Sequence, residues 1–546
     1  MEEDPVAFPT LDDAELAALS ALGSRRSVAA GEQLYQAGDV SYDFFVVLSG
    51  VIEAYIVEDG AERVIVRHGA GRFLGELNLL TGLRVFVSAR VIEAGDVIAI
   101  DRSTFRRLIA TSPTLGNKIL AAFLARRALL IADGASSLRV IGSRFSPASM
   151  RLREFLARLR VPHQWLDVEA HGDIEGALQG AEVDVEELPI VIAPGTVLRR
   201  ATPGEVSDYL GLTLSRLPDR CFDLVVVGGG PAGLAAVVYG ASEGLRTLGL
   251  EMTAVGGQAG ASSRIENYLG FPLGISGTDL TLAALIQAEK FGAEMSIPCV
   301  ASELDERAGH LVIRLSDGTE VAGRAVIAAT GARYRRLDAD RLEDFEGAGV
   351  HYSATKLEAD LCAGAPVTVV GGGNSAGQAA LFLAESGSPT TLVIRGGDVN
   401  KDMSRYLVDR IQDDPRIDVR TNTQITALEG AGALSAVRLT SPEGEQSQSC
   451  EALFSFIGAE PESAWLCGCA ALDDHGFVLT DRALAEDQLD GRWEPLGRRP
   501  LPFETSQPGL FAVGDVRAGS MKRVAAAVGE GSSAVRVVHE YLAFGT

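Results

Sequence analysis

Two glycine-rich turns, each following an apolar run and set 143 residues apart, constrain this chain more than any other feature. The first lies in DLVVVGGGPAGLAAVVYGASEGLRTLGLEM, Asp223 to Met252. Leu224 to Val227 reads as a strand, and Gly228, Gly230 and Gly233 follow at GxGxxG spacing with Pro231 and Ala232 between them. A helix then opens, and a second strand ends at Glu251, 23 residues after Gly228. Glycines permit the tight turn and let backbone N–H groups approach a pyrophosphate, the helix N-terminus attracts its charge, and an acid binds ribose hydroxyls. The second unit, VTVVGGGNSAGQAALFLAESGSPTTLVIRG (367–396), places Gly371, Gly373 and Ala376 at the same positions, with Asn374 and Ser375 between. Its second strand ends in Arg395 rather than an acid, and Lys401 follows. Two cations suit a 2′-phosphate, so NADP is expected over NAD. Two dinucleotide units in one chain imply an α/β multidomain protein that moves electrons between a flavin and a nicotinamide.

A third element closes the pattern. GLFAVGDVRAGSMKRVAAAVGEGSSAV (509–535) sends an apolar strand into Gly514 and Asp515, with a helix after it. Together with GGGPAG, GGQ (256–258), IENYLGFP (265–272), ATGA (329–332), GGGNSA, PGLFAVGD and KRVAAAVGEG, it makes residues 220–546 resemble the low-molecular-weight thioredoxin reductases among the pyridine nucleotide–disulfide oxidoreductases. The resemblance implies two Rossmann-like domains. FAD would be bound by 220–337 and 460–546, and NAD(P) by an inserted 338–459. It places Gly257, Gln258, Asn267, Val300, Thr330, Gly331, Gly514, Asp515, Lys522, Arg523 and Val524 around FAD, with Asp515 on the ribityl chain. It also implies a homodimer.

One departure from that family decides the expected chemistry. The family carries a CxxC just before its NADP strand, whereas this chain reads GVHYSATKLEADLCAGAPVTVVGGG. Ser353 and Lys356 take the two cysteine places, and only thiolates undergo dithiol–disulfide exchange. Cys362 is single and reads as a buried, inert thiol. Cys467 and Cys469 are the closest cysteine pair and offer a non-standard alternative.

Residues 137–215 show a compact β/α pattern that resembles glutaredoxins and thioredoxins. A strand from Leu138 to Ile141 leads to a helix with apolar residues at Met150, Phe155, Leu156 and Leu159, near a 3.6-residue period. Pro189, a cis proline in that family, opens the next strand. The active-site loop reads Ser146-Pro147-Ala148-Ser149, so both cysteines are again serine. A degenerate docking domain is expected.

Residues 1–135 show short alternating strands turned at Gly31, Gly38 and Gly50, then a helix from Ser103 to about Leu130. They resemble a cyclic nucleotide-binding β jelly roll. In that family a cassette like GRFLGELNLLTGLRVFVSARV (71–91) holds the cyclic phosphate. By resemblance Gly75, Glu76 and Arg84 are the candidates, with Glu76 on the ribose. Val85 and Phe86 are bulkier than the small residues usual there, so docking or dimerisation is the other reading. No helix-turn-helix follows.

Composition narrows the partners. A formal net charge of −24 would repel nucleic acid and an anionic membrane face. No apolar run is long enough for a membrane span. Six scattered cysteines and an acidic N-terminus without an apolar core suggest a reducing cytoplasm. EDQLDGRWEPLGRRPLP (486–502) reads as a surface loop. No metal site is expected. The sequence therefore predicts an NADPH- and FAD-dependent oxidoreductase with an unidentified acceptor, such as a quinone or a small redox protein. The alternatives are a flavoprotein sensor or scaffold responding to redox state or a cyclic nucleotide, and a disulfide reductase using Cys467 and Cys469.

Overall fold

Alternating apolar residues in the first hundred positions build two facing four-stranded antiparallel sheets. The computed structural model describes residues 4–58, 61–133, 138–170, 185–213, 220–262, 264–346 and 349–544. The expected domain joints at 134–138 and 214–221 lie largely outside the described residues. One sheet holds Ser24–Val28, Gly95–Ile100, Phe44–Val47 and Phe73–Leu74, and the other Gln33–Tyr35, Ser88–Glu93, Val51–Glu58 and Ala61–His68. Phe45, Val47, Ile52, Ile56, Val66 and Leu74 fill the space between them. Gly50 turns with φ 86, and a Cβ there would sit 2.5 Å from the Glu93 carbonyl oxygen.

The single helix expected from Ser103 to Leu130 is two helices, Arg102–Thr111 and Pro113–Ala132. Pro113 has no N–H and disfavours helical geometry in the residue before it, and Ser112 sits at φ −116, ψ 88. The second helix carries Arg126 into the jelly-roll core. There its guanidinium donates to the carbonyls of Ala7 (2.8 Å), Gly75 (2.7 Å) and Phe73 (3.1 Å). Phe8, Phe73 and Phe123 surround it.

Residues 138–213 form a four-stranded sheet in the order Gln164–Asp167, Arg139–Gly142, Ile190–Ala193, Thr196–Leu198. The first pair is parallel and the others antiparallel. The helix Pro147–Arg158 packs through Met150, Leu152, Phe155 and Leu156, and Leu188–Pro189 is cis.

Two further sheets follow, the first mixed and the second parallel. The first runs Glu294–Ser296, Thr247–Leu250, Cys221–Val227, Glu320–Ala328, His310–Leu315, Ala301–Arg307, the last two antiparallel, with Leu510–Ala512 added parallel to Glu320–Ala328. The chain thus leaves this sheet and returns to it. The second runs Val350–His351, Ala452–Ser455, Val367–Val370, Thr390–Val393, Ile417–Arg420. The 486–502 segment is largely exposed, as expected of a surface loop, but pinned. Trp493 is buried with its indole N–H on the Ser506 carbonyl (2.8 Å), and Arg498 pairs with the fully buried Glu504 at 2.6 Å.

Arg126→Ala should leave three buried carbonyls without a donor and destabilise the N-terminal domain by about 3 kcal/mol. Urea unfolding followed by the near-ultraviolet signal checks this, with a midpoint unchanged from wild type as the contrary result.

Candidate active site

The first glycine turn is packed so closely that neither its first nor its third glycine admits a side chain. Gly228 has φ 110, and a Cβ there would lie 2.3 Å from the Ala329 carbonyl oxygen. A Cβ on Gly233 would lie 1.8 Å from the Gly228 carbonyl oxygen. The helix Pro231–Ser242 therefore starts hard against the strand Cys221–Val227. Its N-cap is Gly230, which has no side chain to bond the first N–H groups, so they stay open to an anion. Glu251, buried one residue past the second strand, accepts from the Gly229 N–H (2.6 Å) and the Thr253 N–H (2.9 Å).

These groups line a cavity of about 1000 Å³. Gly228, Gly230, Pro231, Ala232 and Glu251 form one wall. Gly257, Gln258, Val300, Thr330 and Gly331 form a second. The returning segment brings Gly514, Asp515, Lys522, Arg523 and Val524. Gly233 is interior packing, and Asn267 is exposed and outside the lining. Burial raises the Asp515 carboxyl pKa against the opposing charge of Lys522, with Glu530 adding to the rise. Glu530 also accepts from the Gly514 N–H (2.7 Å) and pairs with Arg517 (2.6 Å), so two residues that sequence spacing did not single out hold the Gly514 turn.

The second glycine turn repeats this construction. Gly371 has φ 145, and a Cβ would lie 2.5 Å from the Phe456 carbonyl oxygen. Gly373 caps the helix Asn374–Glu385 without a side-chain bond, and Ala376 is buried in it. Asn374 is turned to the Ser404 N–H (2.6 Å), while Ser375 reaches the large cavity. Arg395 and Lys401 are exposed, and among the described residues neither makes an ion pair. Both cradles fit dinucleotides: open helix N-termini, close backbone turns, and a buried acid at the first but free cations at the second.

Residues 222–531, more than half the chain, match the pyridine nucleotide-disulphide oxidoreductase family, and residues 25–112 match the cyclic nucleotide-binding domain family. The chain belongs to the pyridine nucleotide-disulphide oxidoreductase family. Among curated relatives, a thioredoxin reductase of Treponema pallidum is 32% identical over 323 residues, 59% of this chain and 97% of that protein. One of Listeria innocua is 30% identical over 332 residues, 59% of this chain and 95% of that protein. The solved thioredoxin reductase of Lactococcus lactis superposes with a TM-score of 0.52 at 25% identity, covering 59% of this chain and 99% of that one. That of T. acidophilum gives 0.52 at 26%, covering 59% and 98%. The family implies FAD and NAD(P)H.

In this oxidoreductase no cysteine pair is among the residues lining the cavity. Ser353 lines the cavity, whereas the Lys356 side chain is 85% exposed and pairs with Asp360 at 3.2 Å. Cys362 is buried, and burial, reinforced by Glu358, pushes its thiol to about 12. Cys467 is exposed and Cys469 half-buried, with its thiol raised by burial to about 11; neither lines the cavity. Cys299 does line it, as a single buried thiol bonded to the Ser296 hydroxyl (3.1 Å). His351, also in the wall, is stacked on Phe454 at 5.2 Å and held neutral by burial, which lowers its pKa to about 4.

The middle domain forms part of the same wall. Pro147, Met150, Arg151, Glu154 and Arg158 of the helix Pro147–Arg158 face the cavity. Arg158 donates to the carbonyls of Ala254 (3.2 Å), Val255 (3.3 Å) and Gly257 (2.8 Å). Ser146 caps this helix by accepting from the Ser149 N–H (3.4 Å), and Ser149 is fully buried, accepting from the Ser143 N–H (3.2 Å). No local motif announces Arg158, because its partners lie 96 to 99 residues away.

In the N-terminal domain the candidate nucleotide residues are engaged within the protein. Glu76 is buried in a two-bond ion pair with Arg127, and Gly75 gives its carbonyl to Arg126. Arg84 donates to the carbonyls of Tyr209 and Gly38 (2.7 Å to the latter), and its guanidinium stacks over the Tyr209 ring at 5.0 Å. Leu83 and Phe86 pack into the middle domain's core with Leu138 and Leu210. The space left near Glu76 is about 40 Å³, room for little more than a water molecule.

Gly233→Ala should abolish flavin retention, since its Cβ has no room beside Gly228. The purified variant is expected to lack the yellow flavin absorbance while keeping its far-ultraviolet circular dichroism. A variant that retains full flavin would contradict this account of the turn.

Proposed function

We propose that this oxidoreductase passes electrons from NADPH through FAD to an acceptor that meets the flavin directly. The observation carrying this reading is the cavity at the first glycine cradle, which contains Ser353 and one lone thiol where a relay needs a dithiol pair. When bound, FAD takes a hydride equivalent from the nicotinamide and releases its electrons to the acceptor. The chain's residues bind and orient. The open N-terminus at Gly230 faces the pyrophosphate, Glu251 serves the ribose, and Asp515 with Lys522 serves the returning side. Arg395 and Lys401, exposed beside the second cradle, favour a 2′-phosphate. The family resemblance also supports a homodimer.

Anaerobic titration of the holoenzyme with NADPH should bleach the flavin band within seconds. Arg395→Ala should weaken NADPH at least about tenfold, through the lost charge-assisted bonds, and leave NADH little changed. A band that stays unbleached with either nucleotide would sink the electron-transfer reading.

The middle domain, on this reading, is a thioredoxin-like module retained for docking. Its strand order and directions, its cis Leu188–Pro189 bond and its two structural serines support that. We infer likewise that the N-terminal jelly roll docks rather than senses. Arg84 and Glu76 are committed to protein partners, and the space beside Glu76 is too small for a nucleotide. Calorimetry of the full chain with cAMP or cGMP is expected to show no saturable heat up to millimolar ligand. A saturable isotherm would overturn the docking reading.

A further inference from the structure

The cavity holds several carboxyl groups, and most are held by other residues. Glu251 is bonded to Gly229 and Thr253. Glu346 pairs with Arg336 and accepts from the Tyr352 hydroxyl (2.7 Å). Glu358 accepts from the Thr355 N–H (2.8 Å) and hydroxyl. Glu343 is 83% exposed, Glu462 lies beside the exposed Arg333 at 3.7 Å, and Asp515, whose carboxyl pKa is also raised by burial, is the residue assigned above to the flavin.

Glu154 differs because another domain carries it in. It lines the cavity from the helix Pro147–Arg158, and among the described residues its carboxyl has no hydrogen bond. Its ion-pair partner is Arg158, one turn along the same helix at 3.7 Å. Arg158 is itself fixed to the Ala254, Val255 and Gly257 carbonyls, which holds that helical turn against the loop carrying Gly257 and Gln258. Partial burial raises the Glu154 carboxyl pKa, with 43% of its side chain still exposed. Arg158 opposes the rise, and Glu358, facing it from the helix Lys356–Leu361, adds to it. Arg151 lines the same wall. Met150, one turn before Glu154, together with Val300 and Trp465 elsewhere in the lining, gives the cavity apolar surface suited to a flat ring. A wall assembled from three domains favours a small acceptor over a folded protein.

We propose that Glu154 delivers a proton to a small quinone reduced in this cavity. The inference rests on the reading above, that the acceptor meets the flavin directly. Reducing a quinone to a hydroquinone takes two electrons and two protons. NADPH supplies both electrons and one proton as its hydride. The second proton comes from Glu154: its O–H bond breaks as an O–H bond forms on a quinone oxygen, and solvent then reprotonates the carboxylate. Glu154 donates while protonated, so quinone reduction declines as pH rises through its pKa.

The test compares wild-type, Glu154→Gln and Glu154→Asp holoenzymes with two probes, menadione and ferricyanide. Ferricyanide takes one electron and no proton. In Glu154→Gln, kcat with menadione should fall at least tenfold at the pH where the wild type is fastest, with KM little changed, and its pH profile should lose the decline with rising pH. Ferricyanide reduction and bleaching by NADPH should match wild type, and Glu154→Asp should recover part of the menadione rate. Three results overturn the proposal: a menadione rate within twofold of wild type in Glu154→Gln, an equal loss with both probes, or a wild-type enzyme that bleaches with NADPH yet leaves menadione unreduced. Failure of the wild type to bleach instead removes the reading beneath it.

Discussion

Three carbonyl oxygens, of Ala254, Val255 and Gly257, converge on the single guanidinium of Arg158. The loop that presents them turns at Gly256 and Gly257, with φ 105 and 51, and a Cβ on Gly256 would lie 2.6 Å from the Thr281 hydroxyl oxygen. Such a turn aims carbonyls away from any helix or strand partner, and a buried carbonyl without a donor is costly. All three contacts are made by the single Nη2, whose two N–H groups are shared among them with the shortest bond to Gly257, so one side chain serves all three carbonyls. The clamp therefore does two things. It completes the loop carrying Gly257 and Gln258, and it fixes the middle domain as a wall of the cavity.

The N-terminal domain follows the same logic with different atoms. In the cyclic nucleotide-binding domains it resembles, a glutamate and an arginine face a ligand. Here Glu76 faces Arg127, and Arg84 faces the end of the middle-domain helix Pro203–Leu210. The backbone agrees, since the Arg84 N–H donates to the Leu210 carbonyl at 3.0 Å. A third contact joins this domain to the first dinucleotide domain. Glu289, buried in the helix Gly277–Lys290, faces Arg106, Arg102 and Arg127, and its burial outweighs their charge, raising its carboxyl to about 7. The bulk of Phe86 fits its place in the shared core, where a small residue would leave a void.

What the sequence disclosed depended on how local each signal was. The βαβ units were legible because strand, glycines and helix fall within one short stretch and each glycine answers a specific close approach. The helix at 147–158 was legible from its period. The break at Ser112–Pro113 was also written locally, but the strong apolar pattern on both sides of Pro113 masked it. The third wall of the cavity was not legible. Glu154 and Arg158 stand four apart on one helix with no motif around them, and only folding brings Arg158 against residues about a hundred positions on. Arg84 shows the opposite case: its position, eight residues after Glu76, came near the resembled pattern, and its side chain turned to another domain. Asn267 likewise fell inside a matching motif and outside the cavity.

On the proposed reading, a reductase without a relay dithiol, the packing at Ser146, Ser149 and Lys356 bears on where acceptor choice resides. Ser146 and Ser149 cap and fill their helix start, and Lys356 opens its own helix with its side chain in solvent. These residues serve the local structure, so the altered positions are integrated rather than decayed. A dithiol relay would separate flavin chemistry from acceptor recognition, because the thiols carry electrons out to a docking site. Without it, the surface that meets the acceptor is the cavity wall itself. Part of that wall belongs to the middle domain, which the jelly roll holds through Tyr209 and Leu210. On the proposed reading, the two front domains therefore act on the reaction by placing one helix, and any change in their packing would be felt first at Glu154.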